Sequence, residues 1–369
     1  MLSLLHRLIY REVIGPWLFG VAMFTMVLMA GTYLFRLTDL LVKGIDLWTV
    51  LELSLLYLPA IVAKTFPMSV LLGCLLAFAR LSNDSEIVAV QASGGSFFNI
   101  MWPVALFGFS VSALTFAFGE VVVPPSSLKA VKLQFEISKT LKLATGTSFY
   151  QPLYIGGRFR GHIMARTISL STDTMYDVTG VWFDKDGEFQ LMFTAEEMYY
   201  APTEEWRLRN VRIFYDPEAK TSTFFEDAGS PPGTTFDFTP QDVLTSRLKD
   251  PDALAMAELG RQIKRLSGDP RGNMARIRDL QVGYWTKVTL PLSAIVFALV
   301  GAQAAIRRGR QTVGAGVAVS ITVIFIYYLL HNYLTIVAKG GLLHPAVSAF
   351  TPVFLGLVAA VVMFWNKNR

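Results

Sequence analysis

Few residues in this chain sit where they could do chemistry, and most of those are cations. Lys64 interrupts the apolar stretch IVAKTFP, where a charge is costly unless it faces a polar cavity or a partner. Glu52 and Glu120 are the acids within plausible reach. Arg36 and Lys43 follow the first apolar run. Basic residues there ordinarily snorkel to an interface. Glu86 opens the apolar part of SNDSEIVAVQASGG (82–95), with Ile87, Val88 and Val90 behind it. His6, His162, His331 and His344 are scattered, and Cys74, the only cysteine, lies inside an apolar run. That pattern offers no metal-ligand spacing and no internal disulfide. No nucleophile–base pair stands out, and no glycine-rich phosphate loop is present. The expectation is a non-enzymatic chain with no catalytic residue, no metal and no cofactor.

The elements that must position these residues are membrane helices. Of 369 residues, 53% are hydrophobic and only 17% charged, against roughly 25% charged in soluble domains. Mean hydropathy is +0.44. Apolar runs at Val13–Phe35, Leu47–Ala79, Ile100–Val122, Lys287–Ala305, Thr312–Thr335 and Ala346–Trp365 each approach the ~20 residues a span requires. The first is too long for a signal-peptide core and reads as a span. Pro59 and Pro67 predict a tilt or kink in the second.

The net charge of +5 comes from basic residues flanking these runs, which argues for membrane orientation and against nucleic-acid binding. Arg7, Arg11, Arg80, Arg307, Arg308, Arg310, Lys367 and Arg369 fall on one side; Arg36, Lys43 and Lys339 fall on the other. The positive-inside rule makes the first side cytoplasmic, with both termini there. The 123–283 segment is then outside the cytoplasm. It contains YIGGRFRGHIMARTISL, VTGVWFDKDGEFQLMFTAEEMYYAP and WRLRNVRIFYD, which alternate like short strands, with a hairpin signal at Asp186-Gly187. A sandwich or jelly roll is expected, followed by a linking helix over 251–266. The expected layout is spans 1–3 in 1–122, a β-domain in 123–283 and spans 4–6 in 284–369.

Within that layout 82–95 is a cytoplasmic loop. Asn83 and Glu86 resemble a capping box, and Gly94-Gly95 is a left-handed stop. A helix of about three turns is predicted, suited to a groove on a partner, though a short helix that merely closes the loop would look the same.

FPMSVLLGCLLAFARLSNDSEIVAVQASGGS resembles the signature of the lipopolysaccharide-export permease family (the LptF/LptG type). The similarity continues through GEVVVPPS, AEEMYYAPTEEWRLRNVRIF, DPDALAMAELGRQIKRL and YWTKVTLPLSAIVFALVGAQAAIRRGRQTVGAGVAVSITVIFIYYLL. It covers nearly the whole chain in order, and the FPM…SEIVAVQASG and DPDAL stretches lean towards the LptG type. The resemblance implies an α-helical integral membrane protein of the bacterial inner membrane, with six transmembrane helices and a periplasmic all-β, jellyroll-like domain between helices 3 and 4. It implies a second permease subunit (a paralogue or the same chain), a cytoplasmic ABC ATPase dimer and, optionally, a single-span periplasmic bridging protein. The cargo would be lipopolysaccharide or a related glycolipid. Glu86, Ile87, Val88 and Val90 would couple to the ATPase, and Arg36 and Lys43 would be candidates for contacting the lipid; Lys64, which the family's basic positions do not clearly match, is a cavity-facing candidate for the same contact from its place inside the span. The alternatives are an envelope-assembly scaffold with a glycolipid-binding β-domain, or a secondary transporter. The latter would want paired acids or repeated halves, which are absent here.

Overall fold

A computed structural model describes residues 2–140, 149–155, 158–169, 174–184, 188–201, 205–215, 223–229, 236, 251–267, 274–306 and 313–368. These residues form helices α1 (Leu2–Val42), α2 (Leu47–Asn83), α3 (Glu86–Ala92), α4 (Phe97–Val121), α5 (Val123–Thr140), α6 (Met256–Ser267), α7 (Met274–Ala305), α8 (Val313–Gly340) and α9 (Pro345–Asn368). Strands β1 (Phe149–Ile155), β2 (Arg158–Ser169), β3 (Thr174–Phe183), β4 (Phe189–Tyr200), β5 (Trp206–Phe214) and β6 (Thr223–Ala228) lie between α5 and α6. The hairpin residues Asp186-Gly187, and Arg307, Arg308, Arg310 and Arg369, lie outside the described residues.

Six helices are long and apolar enough to cross a membrane, at His6–Val42, Leu47–Asn83, Phe97–Gln134, Met274–Ala305, Gly314–Gly340 and Pro345–Asn366. They bear out the six expected spans and the β-domain placed between the third and fourth. Several outrun the apolar runs that announce them: α1 has 41 residues and α2 has 37. No glycine or proline stops them at the edge of the apolar run, so the helix continues into polar flanks.

Where helices do stop, the cause is local. Gly44, Gly94 and Gly341 have φ near +86° to +89°, and each sits in the same closing motif. After α1, Gly44 N–H donates to Leu41 O and Ile45 N–H to Leu40 O. After α3, Gly94 donates to Gln91 O and Gly95 to Val90 O; after α8, Gly341 donates to Ala338 O and Leu342 to Val337 O. This paired arrangement satisfies carbonyls that a helix end otherwise leaves open. Between α4 and α5 the break follows from Pro124 and Pro125, which lack the N–H groups a continuous helix needs.

The chain divides into two compact units, Met1–Ser127 with Asp250–Leu259 and Arg278–Arg369, and Leu128–Lys249 with Gly260–Ile277. In the first, α2 is central: Val70, Leu71, Leu72, Cys74 and Phe78 have no exposed surface. In a membrane, helices associate by close van der Waals packing rather than by escape from water, so small residues mark the crossings. A Cβ on Gly73 would lie 3.0 Å from the Trp17 backbone, and one on Gly108 would lie 2.9 Å from Ile295 Cα of α7. Helices α1 and α2 form an antiparallel pair. Thr25 Oγ1 lies 3.1 Å from Thr65 Oγ1, and the rings of Tyr33 and Tyr57 stack at 4.1 Å, so eight residues along α1 match eight along α2.

In the second unit the six strands pair antiparallel in the order β1-β2-β3-β4-β5-β6, each with its neighbour in sequence. Among the described strands there is no crossover. One face packs around Trp182, Phe193, Met198, Leu208, Val211 and Ile163. The alternation slips by one along a single row: Met175 and Val178 are both buried in β3, Ala195 and Met198 in β4, and Leu208 and Val211 in β5. Asp177 (φ +52°) and Asn210 (φ +54°) lie on that row, and Asn210 Nδ2 donates to Glu196 Oε2 at 2.7 Å. Because all three strands slip together, register is kept while the buried face continues past the bend.

Candidate functional site

Two places in the first unit gather the residues singled out above. At one end of the bundle stands α3. The expected capping box from Asn83 is not there: α2 runs through Asn83, and Asp84, its cap, donates its N–H to Arg80 O at 2.9 Å. Ser85 then reverses the chain at φ +61°, and α3 begins with no side-chain cap. The continuing hydrogen bonds of α2 have outcompeted the local cap, leaving seven residues, about two turns, instead of three.

Ile87 is 5% exposed and turns inward, where it lines a recess together with Leu8, Ile9, Phe78, Leu81, Glu86, Val90 and Ile100. It anchors α3 to its own bundle, and Val90 is half-buried beside it. Of Ile87, Val88 and Val90, all expected in a groove on a partner, Ile87 is thus buried within its own chain. Glu86 is exposed, and Val88 is 61% exposed. Arg80 braces the region by pairing with Glu12 of α1 at 2.9 Å.

The second place is a level of charge inside the bundle. Lys64 Nζ lies 2.9 Å from Asp252 Oδ2. Its partner is therefore neither Glu52, which is exposed on α2, nor Glu120. Glu120 Oε1 instead accepts from Lys287 Nζ at 2.9 Å, and its other oxygen accepts the Met256 N–H at 2.9 Å. Lys287 also donates to Gly119 O at 3.1 Å and is 8% exposed. Asp252 and Met256 belong to the DPDALAM stretch. Pro251–Ala253 form a 3-10 turn, and the helix begins only at Met256, later than the expected start at 251. For Asp252, burial pushes the carboxyl pKa up, but Lys64, Lys287 and His331 together outweigh it and hold the group below the ordinary carboxylate range.

Lys64 stands at the middle of α2. Counting from the end that carries α3, Lys64 is 19 residues from Asn83, Glu120 is 23 from Phe97, Lys287 is 18 from Ala305 and His331 is 18 from Val313. At 1.5 Å per residue these are about 27–35 Å, close to the ~30 Å of a hydrocarbon core. Four helices therefore bring their ionisable groups to one level, one hydrocarbon thickness from the α3 end.

The other two predicted bases stand further out. The α1–α2 register puts Lys64 opposite Met26, so Arg36 is ten residues beyond it and Lys43 seventeen, about 15 and 25 Å. Arg36 is exposed beside the stacked Tyr33 and Tyr57, and Lys43 pairs with Asp39. The three bases form a ladder and not one cluster. Asp252, Lys287 and His331 were missed as members of the site. For Lys287 and His331 a signal was available, since each falls a similar count from the far end of its helix as Lys64 does; for Asp252, in its 3-10 turn, there was none. No group of three His, Cys, Asp or Glu suited to a metal occurs among the described residues.

Comparison with known proteins gives the following. The sequence model of the lipopolysaccharide export system permease LptF/LptG family matches residues 7–366. The chain is 24% identical over 330 residues to the lipopolysaccharide export system permease protein LptG of Haemophilus influenzae, covering 88% of this chain and 87% of that one. It is 27% identical over 305 residues to the protein of the same name from Escherichia coli K12, covering 75% and 74%.

Proposed function

This chain belongs to the lipopolysaccharide export system permease LptF/LptG family, and from that premise we propose that it is the membrane subunit through which a separate cytoplasmic ABC ATPase dimer drives the glycolipid out of the inner membrane. The chain pairs with a second permease subunit and passes its cargo, lipopolysaccharide or a related glycolipid, to a periplasmic bridge. Both termini and α3 face the cytoplasm, and the β-domain faces the periplasm. The placement of basic residues supports this orientation.

The observation that carries the reading is α3. A two-turn helix is pinned by Ile87 into its own bundle while Glu86 and Val88 stay exposed. A seated helix with an exposed acid and an exposed aliphatic residue fits a partner that pushes on the spans. Glu86 takes a basic residue of the ATPase in a charge-assisted contact, and Val88 packs beside it. At the other end Arg36, Lys43 and Lys64 form the ladder of basic side chains available to anionic headgroups, Lys43 and Lys64 each held by a carboxylate.

The experiment is copurification of the ATPase with the unaltered chain and with Glu86→Arg. Loss of the ATPase from a folded Glu86→Arg protein supports the reading. Retention of the ATPase there, or its absence from the unaltered chain, overturns it.

A further inference from the structure

The two ion pairs at the charge level are built differently. Lys287 and Glu120 are enclosed, with side chains 8% and 22% exposed. Both oxygens of Glu120 are used, by Lys287 and by the Met256 N–H, and the ammonium also holds Gly119 O. Lys64 and Asp252 meet with side chains 41% and 34% exposed. This pair is more open than the Lys287–Glu120 pair.

The two partners are also unequally fixed. Asp252 stands on a backbone anchored independently of Lys64: Pro251 is buried against Gly283, Leu254 is 2% exposed and donates its N–H to Pro251 O, and Met256 is bound to Glu120. Lys64 reaches the carboxylate with a long flexible side chain. Exchange of its partner therefore needs only a change of rotamer, with no movement of the helices. The level itself lies one hydrocarbon thickness from the α3 end, where lipid headgroups lie. A half-exposed ammonium there meets headgroup phosphates, which bind it more strongly than a single carboxylate does because they carry more charge and more acceptor oxygens.

We propose that Asp252 is a displaceable internal counter-ion: it occupies the Lys64 ammonium when no lipid is present and yields it to a phosphate of an incoming lipid headgroup. Asp252 thereby sets a threshold that lipids without phosphate do not cross. The proposal rests on the permease reading above.

The test uses the complete transporter in nanodiscs, with diphosphoryl lipid A and its phosphate-free counterpart as probes. Asp252→Asn removes the competing charge with almost no change in shape. It should tighten binding of the diphosphoryl lipid by about two- to fivefold, the range an exposed ion pair corresponds to, and leave the phosphate-free lipid unchanged. Lys64→Gln should weaken the diphosphoryl lipid alone, and Asp252→Asn should have no effect in that background. Asp252→Glu keeps the charge and should bind as the unaltered chain does, which separates charge from fold if the Asn variant is unstable. The proposal is overturned if Asp252→Asn weakens binding, shifts both lipids alike, or acts equally with Lys64→Gln in place. Failure of the unaltered transporter to bind either lipid would instead sink the permease reading.

Discussion

Glu120 near the end of α4 accepts the backbone N–H of Met256, 136 residues later, at 2.9 Å. One carboxylate thus caps the first residue of α6 and neutralises Lys287, so the segment returning from the β-domain is tied to α4 and α7 at one point.

Removing that carboxylate should be costly. Glu120→Ala strands an almost fully buried ammonium and uncaps α6, with an expected loss of about 3 kcal/mol or more. Glu120→Gln, which can still accept from Met256, should lose less. Denaturant unfolding of the purified chain measures both. Equal stability for the Ala variant and the unaltered chain would contradict the role given to Glu120.

The helix crossings make a paired prediction about glycine. Gly108→Ala places a methyl 2.9 Å from Ile295 Cα and should destabilise by about 1–3 kcal/mol through overpacking. Gly119→Ala, on the same helix with nothing within 4 Å of the new methyl, should be neutral or stabilise by up to about 1 kcal/mol. Thermal unfolding of the two variants side by side decides it.

Ile87 and Val88 are neighbours with opposite duties. Ile87→Ala empties part of the recess under α3 and should cost about 2–4 kcal/mol. Val88→Ala should leave stability within about 0.5 kcal/mol while reducing ATPase copurification. If Ile87→Ala were stable and Val88→Ala destabilised, the inward and outward assignments would be reversed.

In the sheet, Asn210 holds φ at +54°. Asn210→Val should lose about 1–3 kcal/mol because a β-branched residue is strained there, whereas Asn210→Gly relieves the backbone and forfeits the bond to Glu196. Proteolytic susceptibility of the β-domain should rank Val above Gly and Gly above the unaltered chain.

Asp252 should govern acid sensitivity at the charge level. Its carboxyl titrates lower when folded, surrounded by Lys64, Lys287 and His331. The stabilisation is then fully present above the unfolded value of about 3.9 and fades as pH falls through the folded one. The melting difference between the unaltered chain and Asp252→Asn should shrink below about pH 4. A difference that persists undiminished well below that would contradict the pairing.

Much of this was legible from residues alone. Hydropathy runs mark six spans because crossing a membrane is a demand on composition over consecutive residues. Alternation marks strands because side chains point to opposite faces in turn, and Gly94-Gly95 marks a helix stop because a left-handed residue favours glycine. Each of these rules is local, and the sequence by itself determined their outcome. What it left undecided was every relation across the chain. The capping box at Asn83 satisfied its local pattern and still lost to the hydrogen bonds of a longer helix. Ile87 and Val88 are equally apolar neighbours, and only the recess built by Leu8, Ile9, Phe78 and Ile100 turns one inward. Lys64 required a partner by its position in an apolar run, but spacing names none. The tertiary structure chose Asp252 because burying Pro251 and Leu254 brings that turn to the level where four helices carry their charges, and the cost of an unpaired ammonium does the rest.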